Sequence, residues 1–139
     1  MFAAFALKTM AADLSTPETA LRSLEAAYSQ KNIEAAVAAR DFKFEARELL
    51  VNLKGIKDPE QNLVDETSHV LELSFRKQMR DSGFPNFSYL SCVVVAKKVL
   101  REDLVELIEE CVFPDGGKSR DTVHAAKSPA GWRIVILPQ

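Results

Sequence analysis

The chain has 139 residues, of which 47% are hydrophobic and 27% charged, and its formal net charge is −2 at pH 7. This length and apolar content are typical of one folded domain with its own core, and they exclude intrinsic disorder. The 18 lysines and arginines are scattered along the chain, so a nucleic-acid partner is not expected. A membrane partner is not expected either, because no apolar run reaches the roughly 20 residues of a spanning helix.

The first 14 residues are expected to form a poorly ordered or short helical lead-in to a single domain over residues 1–139. The apolar stretch of residues 2–7 is short, no cation precedes it, and Lys8 interrupts it. A secretory signal needs a charged start and a longer apolar segment. We therefore expect a cytoplasmic protein.

The next segment predicts two short helices. The first begins after Thr16, an N-cap residue followed by Pro17, and continues to about residue 30 because apolar residues recur every three or four positions. Arg22 and Glu25 fall on its polar side. The second helix is predicted over residues 33–40, and Asn32 can cap it.

Two further helices follow. The third is expected to begin after Asp41, which would cap it, and to end near Gly55. The fourth is the longest. It is predicted to start at Asp58, with Gln61 completing a capping box, and to stop at Gly83.

From Phe87 onward the composition becomes rich in β-branched residues, which predicts strands. These are expected around residues 90–99, 104–113, 122–127 and 132–137. Residues 104–113 fit a helix as well, but the turn residues that follow favour a strand. Because the turns are short, we expect an antiparallel meander and an α+β fold with the N-terminal helices packed on one face of the sheet.

The two cysteines, Cys92 and Cys111, test the register of the first two strands. A two-residue turn near Arg101 and Glu102 would place them opposite each other. In a cytoplasmic protein we expect two reduced, buried thiols rather than a disulfide or a pair of metal ligands. Neither the cysteines nor the histidines occur at metal-ligand spacing, and nucleotide-binding motifs are absent, so no metal or cofactor is expected.

Short stretches of the sequence, taken in order, resemble the nuclear transport factor 2-like (NTF2-like) superfamily, whose fold is a cone. Residues 16–21, 26–28 and 31–36 resemble its opening helical hairpin, and residues 114–117 and 131–135 resemble its last strands. The resemblance implies a curved antiparallel sheet around a long helix, with a pocket between sheet and helices. Members include isomerases, cyclases, dehydratases, transport adaptors and immunity proteins, so fold does not set function.

One region departs from the enzyme members of that superfamily. Their second helix usually leads into a short strand that carries a catalytic acid, whereas residues 41–47 are predicted here to continue as helix, with no strand residues. Residues 33–50, 70–76 and 83–85 resemble the bacterial immunity-protein branch most.

Asp41 and His124 are the candidate catalytic groups for acid–base chemistry in such a pocket. Asp41 lies between two predicted helices, where it is either a pocket acid or simply the cap of the third helix. His124 lies mid-strand and is either a pocket base or a solvated or core histidine. Tyr28, Phe44 and Trp132 are candidate pocket-lining residues, with core packing as the alternative.

The densest cluster of charge is acidic and falls on and before the second strand. Its members are Glu102, Asp103, Glu106, Glu109 and Glu110. The cluster is either a solvated sheet face or a surface for a basic protein, whose approach negative charge would accelerate.

Two functions of different classes follow from these patterns. The first is a non-catalytic binding protein, such as an immunity protein that neutralises a basic toxin. The alternative is an isomerase-, dehydratase- or cyclase-like enzyme, or a ligand binder, that holds a small apolar molecule in the cone pocket. A homodimeric scaffold is a third option.

Overall fold

A computed structural model describes residues 12–138, in which four helices precede four strands as predicted. The helices are α1 Pro17–Ser29, α2 Ile33–Ala38, α3 Phe42–Asn52 and α4 Gln61–Ser82. The strands are β1 Ser91–Arg101, β2 Leu104–Val112, β3 Lys118–Ser128 and β4 Gly131–Val135. Residues 1–11 of the predicted lead-in lie outside the described residues.

Side-chain caps start the first three helices, as the sequence predicted. Thr16, Asn32 and Asp41 each accept a hydrogen bond from the backbone N–H three residues further on. Such caps satisfy an N–H group that has no partner inside the helix. Asp41 is therefore the cap of α3.

The long helix α4 begins later than predicted. Its first residue is Gln61, and Glu60 at the N-cap makes no side-chain hydrogen bond. The backbone of Glu60 is extended, with ψ at 145°, so the helix does not start at Asp58. Its predicted end at Gly83 is confirmed, and that glycine has a positive φ of 80°.

The four strands form an open antiparallel sheet in the order β1-β2-β3-β4, which confirms the predicted meander and α+β fold. Residues 104–112 are strand, so the ambiguity over that segment is resolved. On the far side of β4, Arg40 forms an isolated parallel bridge with Ile134. Arg40, which the sequence placed at the end of the second helix, is thus a bridge residue, whereas residues 42–47 are helical as predicted.

Cys92 lies opposite Cys111 as predicted, but the turn and the ladder that produce this pairing differ from those predicted. The turn consists of Glu102 and Asp103, so Arg101 pairs with Leu104, and a regular ladder from that pair would place Cys92 two residues away from Cys111. Two irregularities in β1, which leave Val95 and Leu100 without partners, restore it.

The expectation that the two cysteines are reduced is wrong. Cys92 and Cys111 form a disulfide, with their Cα atoms 4.0 Å apart. The reason is the register, because directly opposed residues on antiparallel strands bring their Cβ atoms within bonding reach.

The main core lies between the helices and the face of the sheet that packs on α1, which we call the inner face. This cluster includes Leu21, Leu24, Phe75, Leu107, Ala125 and Ile134. A smaller cluster joins α3 to α4. Within residues 12–138 no helix is both long and apolar enough to cross a membrane.

Gly131 fixes the start of β4 against the segment that precedes α1. Its φ is 110°, and a Cβ there would lie 2.6 Å from the carbonyl oxygen of Leu14. The next residue, Trp132, donates its backbone N–H to that same oxygen at 2.8 Å. A side chain at position 131 would therefore disturb the contact that holds β4 in place.

Candidate functional site

A cavity of about 470 Å³ lies between α1 and the inner face of the sheet. This volume falls in the range of small-molecule sites. Most of its walls are apolar or aromatic, from Leu21, Leu24, Tyr28, Phe87, Val123, Ile134 and residues 135–138. Its polar residues are Glu25, Glu109, Asp121, Thr122 and His124.

The end of β4 shapes this cavity. β4 pairs with β3 only as far as Val135 opposite His124, so β3 residues 118–123 have no partner strand on that side. Beyond Val135 the chain runs toward α3, where Leu137 and Phe44 pack against the same small cluster of Leu104, Ala126 and Val135. The cavity wall there is made by residues 136–138 instead of a strand.

Two carboxyl groups are buried together in the cavity wall. Glu25 of α1 is 9% exposed and Glu109 of β2 is 3% exposed. Glu25 lies four residues after Leu21, and Glu109 lies two residues after Leu107, so both occupy core-facing positions. Acidic residues are seldom buried unless they are paired.

Arg22 is the cation beside this pair. Its Nη1 donates to Glu25 Oε1 at 2.6 Å and to Glu109 Oε2 at 3.2 Å. The Arg22 side chain is 43% exposed, so it lies at the rim. Among residues 12–138 no donor lies within hydrogen-bond distance of the buried Oε2 of ionised Glu25.

Burial raises the pKa of Glu25 from 4.5 to about 8, and a hydrogen bond to Glu109 and that group's negative charge act in the same direction. Arg22 acts in the opposite direction but does not offset them. At pH 7 Glu25 therefore keeps its proton most of the time. The protonated carboxyl group can donate a hydrogen bond to Glu109 or to a bound molecule.

The disulfide lies directly beside the acid pair. The two sulfurs and one carboxylate oxygen of Glu109 lie within 4.8 Å of one another. Metals bind thiolates, and sulfurs bonded to each other are not thiolates, so this group offers a metal only the carboxylate. The expected absence of a metal or cofactor stays a prediction.

Asp41 and His124, the predicted catalytic candidates, are not brought together in the cavity. Asp41 caps α3 and also donates its backbone N–H to Ile134 at 3.1 Å. His124 does line the cavity. Its Nε2, however, lies 3.4 Å from an oxygen of Glu106 on the neighbouring strand, on the other face of the sheet.

Of the three predicted pocket-lining residues, Tyr28 lines the cavity. Its ring is stacked on that of Phe87, with centroids 6.1 Å apart. Phe44 and Trp132 lie elsewhere. Phe44 belongs to a separate cluster under the guanidinium of Arg101, and Trp132 packs on the main core near the start of β4 with Lys127 over its ring.

The acidic cluster does not form one surface, because strand alternation divides it. Glu109 points to the inner face, while Glu106 and Glu110 point to the opposite face. Glu110 is paired with Arg120 at 2.9 Å and with Lys118 at 3.8 Å. The remaining two members, Glu102 and Asp103, form the turn between β1 and β2.

Sequence reasoning missed the acid pair that the structure brings together. Glu25 was assigned to the polar side of α1 and Glu109 to a surface cluster. Spacing carried the signal, since Glu25 is three residues before Tyr28 and Glu109 is two residues before Cys111, both of which face inward. In both elements, the signal is an acidic residue at a position where the helical or strand spacing predicts an apolar, inward-facing residue.

Known structures resemble this chain only distantly. No protein-family model matches it, and no curated protein matches it. A candidate NTF2-like transpeptidase from Campylobacter jejuni is 14% identical, with a TM-score of 0.45 over 88% of this chain and 99% of that chain. An NTF2-like protein of unknown function from Shewanella oneidensis is 15% identical, with a TM-score of 0.47 over 83% and 88%.

Both structures are called NTF2-like, the superfamily that the sequence resembles. The α+β architecture itself rests on the helices and the sheet order described above. The resemblance to the immunity-protein branch stays a prediction.

Proposed function

We propose that the protein binds a small, mostly apolar molecule in the cavity between α1 and the sheet, and that Glu25 and Glu109 exchange a proton with it. One observation carries this proposal: two carboxyl groups are buried together in the wall of a cavity of ligand size. Burying ionisable groups without full pairing destabilises a fold. Binding of a ligand by the carboxyl groups of Glu25 and Glu109 would explain why these groups lie in the cavity wall.

The chemistry that this pair supports is general acid–base catalysis or proton-linked binding. A proton donor works best when its pKa lies near the working pH, and that of Glu25 is raised to about 8. Glu109 beside it is an acceptor for the same proton. This corresponds to the small-molecule function that the sequence offered as its alternative, with Glu25 and Glu109 in place of Asp41 and His124.

Occupancy of the cavity can be tested with N-phenyl-1-naphthylamine, a neutral apolar dye whose fluorescence rises out of water. The wild type is expected to bind one dye molecule. Val123→Trp, which fills the cavity, should weaken dye binding by about tenfold or more, that is by about 1.4 kcal/mol. Val93→Trp is the matched control, because Val93 is 54% exposed on the opposite face of the same sheet.

Proton exchange is tested by the pH dependence of dye binding. Glu25→Gln should change this dependence between pH 6 and 9, whereas Glu110→Gln, on the opposite face, should not. If the wild type does not bind the dye, or if Val123→Trp and Val93→Trp bind it alike, the cavity is not a ligand site. If Glu25→Gln leaves the pH profile unchanged, the acid pair takes no part in binding.

The protein-binding function that the sequence placed first stays a prediction, as do its immunity-protein example and the homodimer. The acidic residues that suggested a basic partner are divided between faces, and Glu109 is buried. Capture of the tagged protein from its own cell, followed by native mass spectrometry, tests this function. A stoichiometric basic protein whose binding is lost in Glu102→Gln/Asp103→Asn would favour it over the cavity.

A further inference from the structure

The polar part of the cavity carries an excess of negative charge. Glu109 on β2 pairs directly with Asp121 on β3, so the two acids lie side by side on the inner face. Glu25 approaches the same place from α1 and also lines the cavity. Like charges directly opposite in an antiparallel pair destabilise a sheet.

Within the described part of the chain, Arg22 is the one cation within ion-pair distance of Glu25 or Glu109, and Asp121, which is exposed, has none at that distance. Arg22 reaches Glu25 and Glu109 from the rim, with almost half of its side chain in solvent. The other basic group in the lining, His124, is paired with Glu106 on the opposite face. Three carboxyl groups against one half-exposed guanidinium leave room for a second positive charge.

A partly satisfied oxygen shows where that charge would lie. The residue Glu25 is 91% buried, and its Oε2 has no donor among residues 12–138 when the group is ionised. An ammonium group carries three N–H donors and needs several acceptors at once. Carboxylates from α1, β2 and β3 would meet this requirement together.

The rest of the cavity suits the body of such a ligand. Its walls are mainly apolar, and the ring of Tyr28 lies stacked on Phe87 in the wall. Aromatic faces attract cations as well as hydrocarbon. The cavity therefore joins an acidic end to an apolar and aromatic body.

We infer that the ligand is a lipophilic amine, bound as its ammonium ion by Glu25, Glu109 and Asp121 with its hydrocarbon part against Leu24 and Val123. This inference rests on the proposed function, which it makes more specific. The positive charge of the amine favours the ionised form of Glu25, so binding releases the Glu25 proton to solvent. No covalent bond other than that O–H bond changes.

The groups that face Glu25 determine how large this proton release is. They are Arg22 and Tyr28 on its own helix, Glu109 on β2 and Asp121 on β3, whereas His124 of β3 is paired with Glu106 on the opposite face. Only Arg22 among them favours the ionised form of Glu25 in the free protein. A bound ammonium adds a second group that acts in this direction.

The test compares three ligands of nearly equal size, which are 1-naphthylmethylamine, 1-naphthylmethanol and 1-naphthoate. Isothermal titration at pH 7 should show the amine binding at least about tenfold more tightly than the alcohol, with no binding of the anion. Titrations in phosphate and in Tris, which differ in ionisation enthalpy, should reveal proton release on amine binding. Glu25→Gln should abolish this release.

Asp121→Asn should reduce the preference for the amine over the alcohol, whereas Glu110→Gln should preserve both preference and proton release. If the alcohol binds the wild type as tightly as the amine, this inference is wrong and the proposed function stands. If the wild type does not bind the neutral dye, the proposed function fails, and this inference fails with it. These outcomes on the wild type do not depend on whether a variant folds.

Discussion

At the scale of single residues, Arg40 and Glu45 form the most buried ion pair among the described residues. Their side chains are 5% and 7% exposed, and Arg40 Nη2 lies 3.0 and 2.9 Å from the two carboxylate oxygens. The guanidinium also lies 4.8 Å from the ring centroids of both Phe42 and Phe75. Burial raises the pKa of Glu45, and Arg40 opposes that shift. The pair is held by its geometry, because desolvation alone would disfavour it.

Arg40→Ala is expected to destabilise the fold by about 3–5 kcal/mol, because it leaves the charge of Glu45 buried without a partner. Urea unfolding monitored by circular dichroism measures the change. The control is Arg76→Ala, since Arg76 pairs with the exposed Glu34 and such pairs contribute less than about 1 kcal/mol. Replacing both members, as Arg40→Met with Glu45→Leu, should destabilise less than Arg40→Ala alone. Equal losses for Arg40→Ala and Arg76→Ala would refute this account.

At the scale of elements, the sequence predicts the features that neighbouring residues determine. Capping residues predict the starts of three helices, and runs of β-branched residues separated by short turns predict the antiparallel meander. The irregularities at Val95 and Leu100 have no local signal in the sequence. The sequence does not predict the acid pair because it places Glu25 on the polar side of α1, although the spacing of Glu25 from Leu21 and Tyr28 is that of a core-facing position.

The disulfide is the element-scale feature with the clearest energetic consequence. It joins residues 19 positions apart in the β1–β2 hairpin, and a crosslink of that span stabilises a fold by about 3 kcal/mol. The free energy of unfolding of Cys92→Ser/Cys111→Ser should be lower than that of the oxidised wild type by this amount. Added reductant should lower the free energy of unfolding of the wild type to the same value. Thiol titration of the unreduced protein under denaturing conditions should find no free thiol.

If that titration finds two thiols, and reductant does not change the unfolding curve, the bond does not form in solution. Disulfides persist mainly in oxidising compartments. The bond therefore does not favour the cytoplasmic location expected from the sequence, which stays a prediction.

At the scale of the whole molecule, the cavity and the stability of the fold are linked through Glu25. A core position that an apolar residue would fill instead carries an acid. Functional sites commonly hold such groups at the expense of stability. The proton that makes the site chemically useful also makes the molecule sensitive to pH.

The sign of this sensitivity follows from the raised pKa. Between about pH 4.5 and pH 8 the folded protein keeps a proton on Glu25 that the unfolded chain has lost. The contribution of Glu25 to stability is therefore present at low pH and declines as the pH rises through this window, by at most about 1.4 kcal/mol per pH unit. Glu25→Gln removes this contribution.

The free energy of unfolding of Glu25→Gln should therefore increase relative to that of the wild type as the pH rises from 5 to 8. Guanidinium unfolding at each pH measures it, and the titration of groups that do not interact with Glu25 cancels in the difference. Glu110→Gln should show no such shift, and a constant difference for Glu25→Gln would mean that Glu25 is not protonated at neutral pH.

If the ligand is an amine, saturating 1-naphthylmethylamine should also reduce the decline in wild-type stability with rising pH, because the bound ammonium stabilises the ionised form of Glu25. The same proton would then connect the stability of the fold to the occupancy of its cavity.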